Sequence, residues 1–119
     1  MSASAILCRL TELAEGQAKG CDPEGAGHDT IIVVCRGGQV YVYRDACPHL
    51  NTHMAWRKDA YLNMARDKIV CFAHGALFDI ESGLCTLGPC LGDRLQALPF
   101  YIDEEGFIRL DNNMKEISS

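Results

Sequence analysis

Cys47 and His49 stand one residue apart in Ala46-Cys47-Pro48-His49-Leu50-Asn51, and Cys71 and His74 two residues apart in Cys71-Phe72-Ala73-His74. Residues 50–70 separate the pairs. Thiolates and imidazoles are the donors used for zinc and iron–sulfur centres, whereas calcium and magnesium take oxygen. Each pair follows a stretch that reads as a strand and ends in a Gly-containing or polar loop. Two loops from adjacent hairpins can therefore face each other and offer two sulfurs and two nitrogens to one site.

Two centres suit that donor set. Zinc accepts two Cys and two His in a tetrahedron, but its usual spacing pairs Cys with Cys and His with His. Here each loop brings one of each, and C-x-H is tight for zinc. A [2Fe–2S] cluster with one iron on two Cys and the other on two His fits mixed loops better. The irons sit close together, so one short loop can reach both.

The elements that must position these loops are strands. Residues 30–36, Thr-Ile-Ile-Val-Val-Cys-Arg, form a β-branched run, and residues 39–44, Gln-Val-Tyr-Val-Tyr-Arg, alternate Val with Tyr. Gly37-Gly38 between them predicts a two-residue hairpin turn. Residues 68–72 read as another strand, 98–102 and 107–110 as a closing hairpin around 103–106, and 5–10 as the first strand. Residues 11–16 allow a short helical turn with Thr11 as N-cap. The Gly, Pro and Asp of 20–29 predict a loop. Residues 51–67 fit neither a helical nor a strand period. The expectation is a small all-β domain with a loop-rich excursion over 46–91.

A chain of 119 residues makes one domain, and 48% apolar with 23% charged residues is a globular balance. A net charge of −5 with no basic run argues against nucleic acid and against an anionic membrane surface. It suits docking to a basic patch on a protein partner. The opening Met-Ser-Ala-Ser-Ala-Ile-Leu-Cys-Arg-Leu has no basic start, and Arg9 breaks its apolar run, so a secretory leader is not expected. No apolar run approaches a membrane span. A cytoplasmic location is expected, with reduced thiols. Seven cysteines are an odd number, which excludes a complete disulfide framework within one chain.

Both ligand pairs, Gly75 after the second His, and Gly88-Pro89 in Leu87-Gly88-Pro89-Cys90 resemble the Rieske-type [2Fe–2S] family over most of the chain. The resemblance implies a three-sheet β sandwich with a small cluster-binding subdomain, here about 46–91 of a single domain spanning 1–119. It implies that Cys47 and Cys71 hold the inner iron. His49 and His74 would hold the outer iron through Nδ1, with Nε2 near solvent. Gly88-Pro89 matches the family's proline loop over the cluster. Two imidazoles in place of two thiolates make the centre less negative and raise its potential. Loss of the Nε2 proton on oxidation would link electron transfer to pH.

The chain also departs from the family's respiratory members. They carry an extra Cys in each loop, joined by a disulfide; Thr52 and Ala73 stand there in this chain. High-potential members place Ser and Tyr after the second His, and here the positions hold Ala76 and Phe78. A potential in the lower part of the roughly −150 to +300 mV Rieske range is expected. That behaviour resembles the ferredoxins that serve bacterial oxygenases. The spacing between the ligand pairs is closer to the small subunit of assimilatory nitrite reductase.

The remaining candidates have plainer readings. His28 and His53 are loop residues. Cys8 and Cys35 fall in strands and belong to the core, while Cys21 is assigned to a loop. Cys85 and Cys90 either lie near the cluster, pair with each other under oxidation, or pack as small apolar groups, and packing is favoured in a reducing cell. Trp56 would pack a long loop onto the core, Met54 and Met64 would fill gaps, and Asp103-Glu104-Glu105 would be a solvated hairpin tip.

The expected role is a soluble one-electron carrier between a reductase and a terminal oxygenase or similar redox enzyme, not itself an enzyme. The alternatives are a small Rieske subunit of a larger redox enzyme such as nitrite reductase, and a zinc-stabilised structural domain. An oxygenase catalytic component would need two further His and a carboxylate on one iron. Only His28 and His53 remain for that, on no shared helix.

The ligand assignment predicts a brown protein with a rhombic paramagnetic signal on reduction, where a zinc domain would be colourless. His49→Ala or Cys71→Ser should abolish assembly of a normal cluster, as read by iron and sulfide analysis. Wild-type spectra in either variant would contradict the assignment.

Overall fold

The computed structural model describes residues 6–23, 25, 27–45, 61–71, 75–88 and 91–111. Nine strands follow one another among them: β1 (Ile6–Arg9), β2 (Gln17–Cys21), β3 (Ile31–Arg36), β4 (Gln39–Arg44), β5 (Lys68–Cys71), β6 (Ala76–Asp79), β7 (Cys85–Leu87), β8 (Phe100–Ile102) and β9 (Phe107–Leu110). They form three antiparallel sheets of three strands, ordered β1-β9-β8, β2-β3-β4 and β5-β6-β7. The three-sheet all-β architecture expected from the sequence is the one observed. Among the described residues no helix is long and apolar enough to cross a membrane.

The middle sheet organises the other two. In β3, Ile31 through Cys35 are all buried. Successive side chains on a strand point to opposite faces, so a continuous apolar run signals a strand covered on both sides. Ile32 and Val34 join Tyr43 of β4 in a core shared with Ile69, Cys71, Ala76, Phe78 and Cys85 of the third sheet. Ile31, Val33 and Cys35 join Val42 in a second core shared with Leu7 and Cys8 of β1 and Ile108 of β9. The middle sheet is thus a shared wall between two apolar layers. Phe78, Ile32 and Ile69 are wholly buried. Truncating any of them to Ala would cost about 2–5 kcal/mol.

Local chemistry sets the turns. β3 and β4 pair from Ile31↔Arg44 to Arg36↔Gln39. Gly37 and Gly38 join them at φ 63° and 76°. Both angles are left-handed, which a two-residue hairpin of this twist needs and glycine supplies without strain. The Glu15 carboxylate accepts the N–H of Gly37 at 2.6 Å and that of Gly38 at 3.1 Å. Those two donors hold its carboxyl below the usual range.

Several expectations are corrected. The helical turn is a 3-10 turn at Leu10–Glu12 capped by Arg9, so Thr11 lies inside it. The Arg9 N–H donates to the Glu12 carboxylate at 3.1 Å. Cys21 is not in a loop: it ends β2 and is buried. The excursion over 46–91 is less loop-rich than expected, because β5, β6 and β7 form a sheet inside it. Met64 fills no gap, being fully exposed. At the 103–106 tip, Asp103 is a structural acceptor: Arg109 Nε donates to it at 2.7 Å, and the N–H groups of Glu105 and Phe107 at 3.0 and 2.9 Å. Glu104 and Glu105 remain exposed, as expected of that tip.

Tyr43 ties the middle and third sheets together. Its hydroxyl donates to the Ile80 carbonyl at 2.6 Å. Burial, before any nearby charge, pushes its pKa up to about 12. A folded pKa above the unfolded value of about 10 means the contribution is complete below pH 10 and is lost as pH rises toward 12. Denaturant unfolding should therefore show wild-type stability falling across that window. Tyr43→Phe should remove this component of the fall and lower stability at neutral pH by about 1 kcal/mol. An unchanged alkaline profile in the variant would refute the assignment.

Candidate metal centre

The third sheet carries Cys71, the cysteine of the second predicted pair. Cys71 is the last residue of β5, wholly buried, and faces Ala76 across the ladder. The Gly75 N–H donates to the Cys71 carbonyl at 2.7 Å, closing the connection at its base. At the far end of the same hairpin Lys68 and Asp79 face each other and pair as ions. Both ends of the β5–β6 register are therefore pinned, and Cys71 is held where the strand gives way to the loop.

Residues 61–63 add a short arm beside β5. Tyr61 accepts the Val70 N–H at 2.8 Å, and Leu62 bridges Ile69. The turn that follows is folded around Asn63, whose Oδ1 accepts the N–H groups of Asp67 and Lys68 at 3.0 and 3.2 Å. Arg36, at the end of β3, fastens this turn and the next one to the middle sheet. It donates to the Arg66 carbonyl at 2.9 Å and pairs with Glu81 at 3.2 Å.

The first predicted pair lies on 46–60, outside the described residues, but both ends of that segment are visible. Asp45 follows β4 and is buried, and its N–H donates to the Thr30 carbonyl at 2.8 Å. The Tyr61 hydroxyl donates to Asp45 Oδ2 at 2.7 Å. The residues on either side of 46–60 therefore meet at one hydrogen-bonded point.

A third segment approaches from the other side. Gly88 has φ 111°, and a Cβ there would lie 2.8 Å from Ala76 Cα and 3.0 Å from its Cβ. Only a residue without a side chain lets this backbone lie against the base of the Cys71 loop. The Leu91 N–H donates back to the Gly88 carbonyl at 3.2 Å, and the Cys85 N–H to the Asp93 carbonyl at 2.8 Å.

Of the four predicted ligands the structure describes Cys71; Cys47, His49 and His74 lie outside the described residues. So do His53, Thr52, Met54, Trp56, Ala73, Pro89 and Cys90. Among the described residues no three His, Cys, Asp or Glu side chains cluster as a metal site elsewhere. Cys8, Cys35 and Cys85 are buried, as expected of packed thiols. The Cys85 thiol also donates to the Leu87 carbonyl at 3.3 Å. His28 is an exposed loop residue, as expected. Asp45 and Tyr61 were not legible as site residues; their only sequence signal is position, one at each end of the 46–60 segment.

The residues present suit an iron–sulfur group. A buried thiol at the end of β5 is the soft donor such a centre takes, and the buried Ala76 and Phe78 of the same core put no competing polar side chain beside it.

A family model for the Rieske [2Fe-2S] domain matches residues 4–101. Comparison with curated proteins gives no match. Among solved structures the chain is similar to the Sphingomonas yanoikuyae B1 ferredoxin, at 22% identity and a TM-score of 0.68, over 92% of this chain and 99% of that one. It is similar to the ferredoxin of carbazole 1,9a-dioxygenase from Nocardioides aromaticivorans IC177, at 24% and 0.69, over 93% and 100%. The terminal oxygenase of the same system matches at 18% and 0.65, over 89% of this chain but 29% of its own length. At these identities the likeness shows the fold.

Gly88→Ala should test the close approach. A side chain at that left-handed position must displace Ala76 or the loop, at a cost of about 1–3 kcal/mol. Lower thermal stability and less iron bound per chain are expected. A variant with full iron content and an unchanged melting temperature would show that the contact is dispensable.

Proposed function

The chain belongs to the Rieske [2Fe–2S] domain family, and on that premise we propose that it is a one-electron carrier working between a reductase and a terminal oxygenase. The observation that carries this reading is the convergence of three loop stems. The ends of 46–60, the Cys71–Ala76 closing pair and Gly88 all meet at or beside one core, in a chain matched to the family over 4–101. The cofactor of the family is a [2Fe–2S] cluster, which when bound supplies reversible one-electron redox chemistry. The zinc alternative gives way to it.

In this reading the whole chain, 1–119, is a single domain, and 46–91 is its cluster-binding part. Cys47 and Cys71 supply thiolates to one iron, and His49 and His74 supply imidazoles to the other. Cys71 is held by the β5–β6 ladder. Ala76 and Phe78 are buried and bring no hydroxyl to a cluster sulfur. Without such a donor the reduced state loses a source of stabilisation, which keeps the potential in the lower part of the Rieske range.

The carrier role is supported by a likeness that runs over the whole of two ferredoxins. The chain spans 99% and 100% of the two ferredoxins named above and 29% of the oxygenase. One related structure is a complex of reduced oxygenase with oxidised ferredoxin in carbazole 1,9a-dioxygenase, at 22% identity and a TM-score of 0.65. A partner of that class needs no substrate pocket in the carrier. The net charge of −5 favours a docking surface that is basic on the partner's side. The reducing cytoplasm is the compartment in which seven cysteines can stay thiols or thiolate ligands.

The test is a reductive titration followed by transfer. One electron per two irons should bleach the visible bands, at a potential nearer −150 than +300 mV. Mixing with an oxidised Rieske oxygenase should restore the colour, more slowly as ionic strength rises. A potential near the top of the range, or reoxidation by oxygenase no faster than by buffer, would overturn the reading.

A further inference from the structure

We propose that Tyr61 and Asp45 form a clamp at the stem of the 46–60 loop that positions the cluster ligands the loop carries. The inference rests on the reading that Cys47 and His49 are ligands, and it assigns two positioning residues that the ligand pattern does not include.

The two side chains are buried, Tyr61 at 1% exposure and Asp45 at 7%. Their hydrogen bond of 2.7 Å joins the residue before the loop to the residue after it. Asp45 lies two positions before Cys47, so a rotation of its backbone is passed to the first ligand with little chain to absorb it. Each end has a further tie. The Asp45 N–H is held by the Thr30 carbonyl at 2.8 Å, and the Tyr61 carbonyl by the Val70 N–H at 2.8 Å, one residue before Cys71. The clamp thus links the stem of the first ligand loop to the strand that presents the second.

Packing alone does not call for this pair. Two apolar side chains would close the stem without desolvating a carboxylate. A hydroxyl–carboxylate bond adds direction, because it weakens steeply with angle and fixes how two segments meet. Space around the pair is also restricted. A Cβ on Gly20 of β2 would lie 2.3 Å from Asp29 Oδ2 and 2.9 Å from the Tyr61 hydroxyl. The middle sheet therefore carries a glycine where this polar group passes, and Asp29 supplies a second carboxylate close by.

A loop of this length pays conformational entropy to surround a centre, and its cost falls when the ends are already fixed. A clamp at the stem acts on ligand geometry and on the rate at which ligands let go, even where the fold survives its loss.

The experiment uses the full holoprotein. Tyr61→Phe keeps the ring and removes the hydroxyl without changing charge. Iron loss to a strong chelator should be about tenfold faster than in wild type, and the g-values of the reduced cluster should shift. Asp45→Asn retains an acceptor and should stay near wild type in chelator resistance, while Asp45→Ala should behave as Tyr61→Phe does. The double variant should lose less than the sum of the two single variants, since both remove the same bond. A lower melting temperature with unchanged g-values and iron-loss rate would mean that the pair only stabilises the fold, and would overturn the proposal. If Tyr61→Phe fails to fold, equal iron loss from Asp45→Asn and Asp45→Ala would overturn it instead. Absence of histidine-ligated iron in wild type would defeat the ligand reading beneath it, whereas a normal wild-type cluster with an indifferent Tyr61→Phe defeats the clamp alone.

Discussion

Everything in this fold leans on the burial of β3 from both sides. Ile32 and Val34 face one layer and Ile31, Val33 and Cys35 the other, so the middle sheet is a wall that neither outer sheet can shift along without moving apolar side chains into water. A one-residue slip of β3 would exchange its two faces. The third sheet, which bears Cys71, is registered against that wall through Ile69, Phe78 and Ala76. Tyr43 and Arg36 add directional ties, from the middle sheet to the Ile80 carbonyl, the Arg66 carbonyl and Glu81. Loops that surround a prosthetic group have few contacts of their own, and their precision is borrowed from stems of this kind.

The same packing explains how distant segments come to share a site. Cys71, Ala76 and Tyr61 are members of one core, Gly88 lies against Ala76, and Asp45 is bonded to Tyr61. Sequence places the ligand pairs on two loops. The shared core brings together the described residues that flank those segments: Asp45 and Tyr61, Cys71 and Ala76, and Gly88 against Ala76. Ala76 and Phe78 are buried and carry no hydroxyl, which is the basis of the low potential proposed above.

Legibility in the sequence followed the strength of the local signal. β3 and β4 are β-branched and aromatic with a Gly-Gly turn between them; β4 was readable to the residue and β3 to within one. The Cys47/His49 and Cys71/His74 pairs stand out in the sequence because Cys and His at short spacing have few other uses, and their role as ligands is a proposal. β2 was not readable: Gln-Ala-Lys-Gly-Cys has no β-branched residue, and its strand conformation comes from pairing with β3. β6 and β7 were not read as strands: Ala-Leu-Phe-Asp and Cys-Thr-Leu carry at most one β-branched residue each, and they pair beside β5 in the third sheet. Arg9 displaced Thr11 as the cap because its own N–H meets the Glu12 carboxylate. Asp103 read as solvated because nothing local announces that Arg109 will reach it from across the hairpin. Tyr61 and Asp45 illustrate the same limit, since only the folded chain brings them within 2.7 Å.

The central proposal is that Cys47 and Cys71 on one iron, and His49 and His74 on the other, hold a diiron centre through sulfur and nitrogen. Pulsed paramagnetic resonance of the reduced protein, prepared with natural-abundance and with 15N-labelled histidine, reads that directly. Two strong nitrogen couplings that change with the histidine label are predicted. A spectrum with no strong nitrogen coupling, or with couplings indifferent to the label, would mean that the iron is ligated in another way.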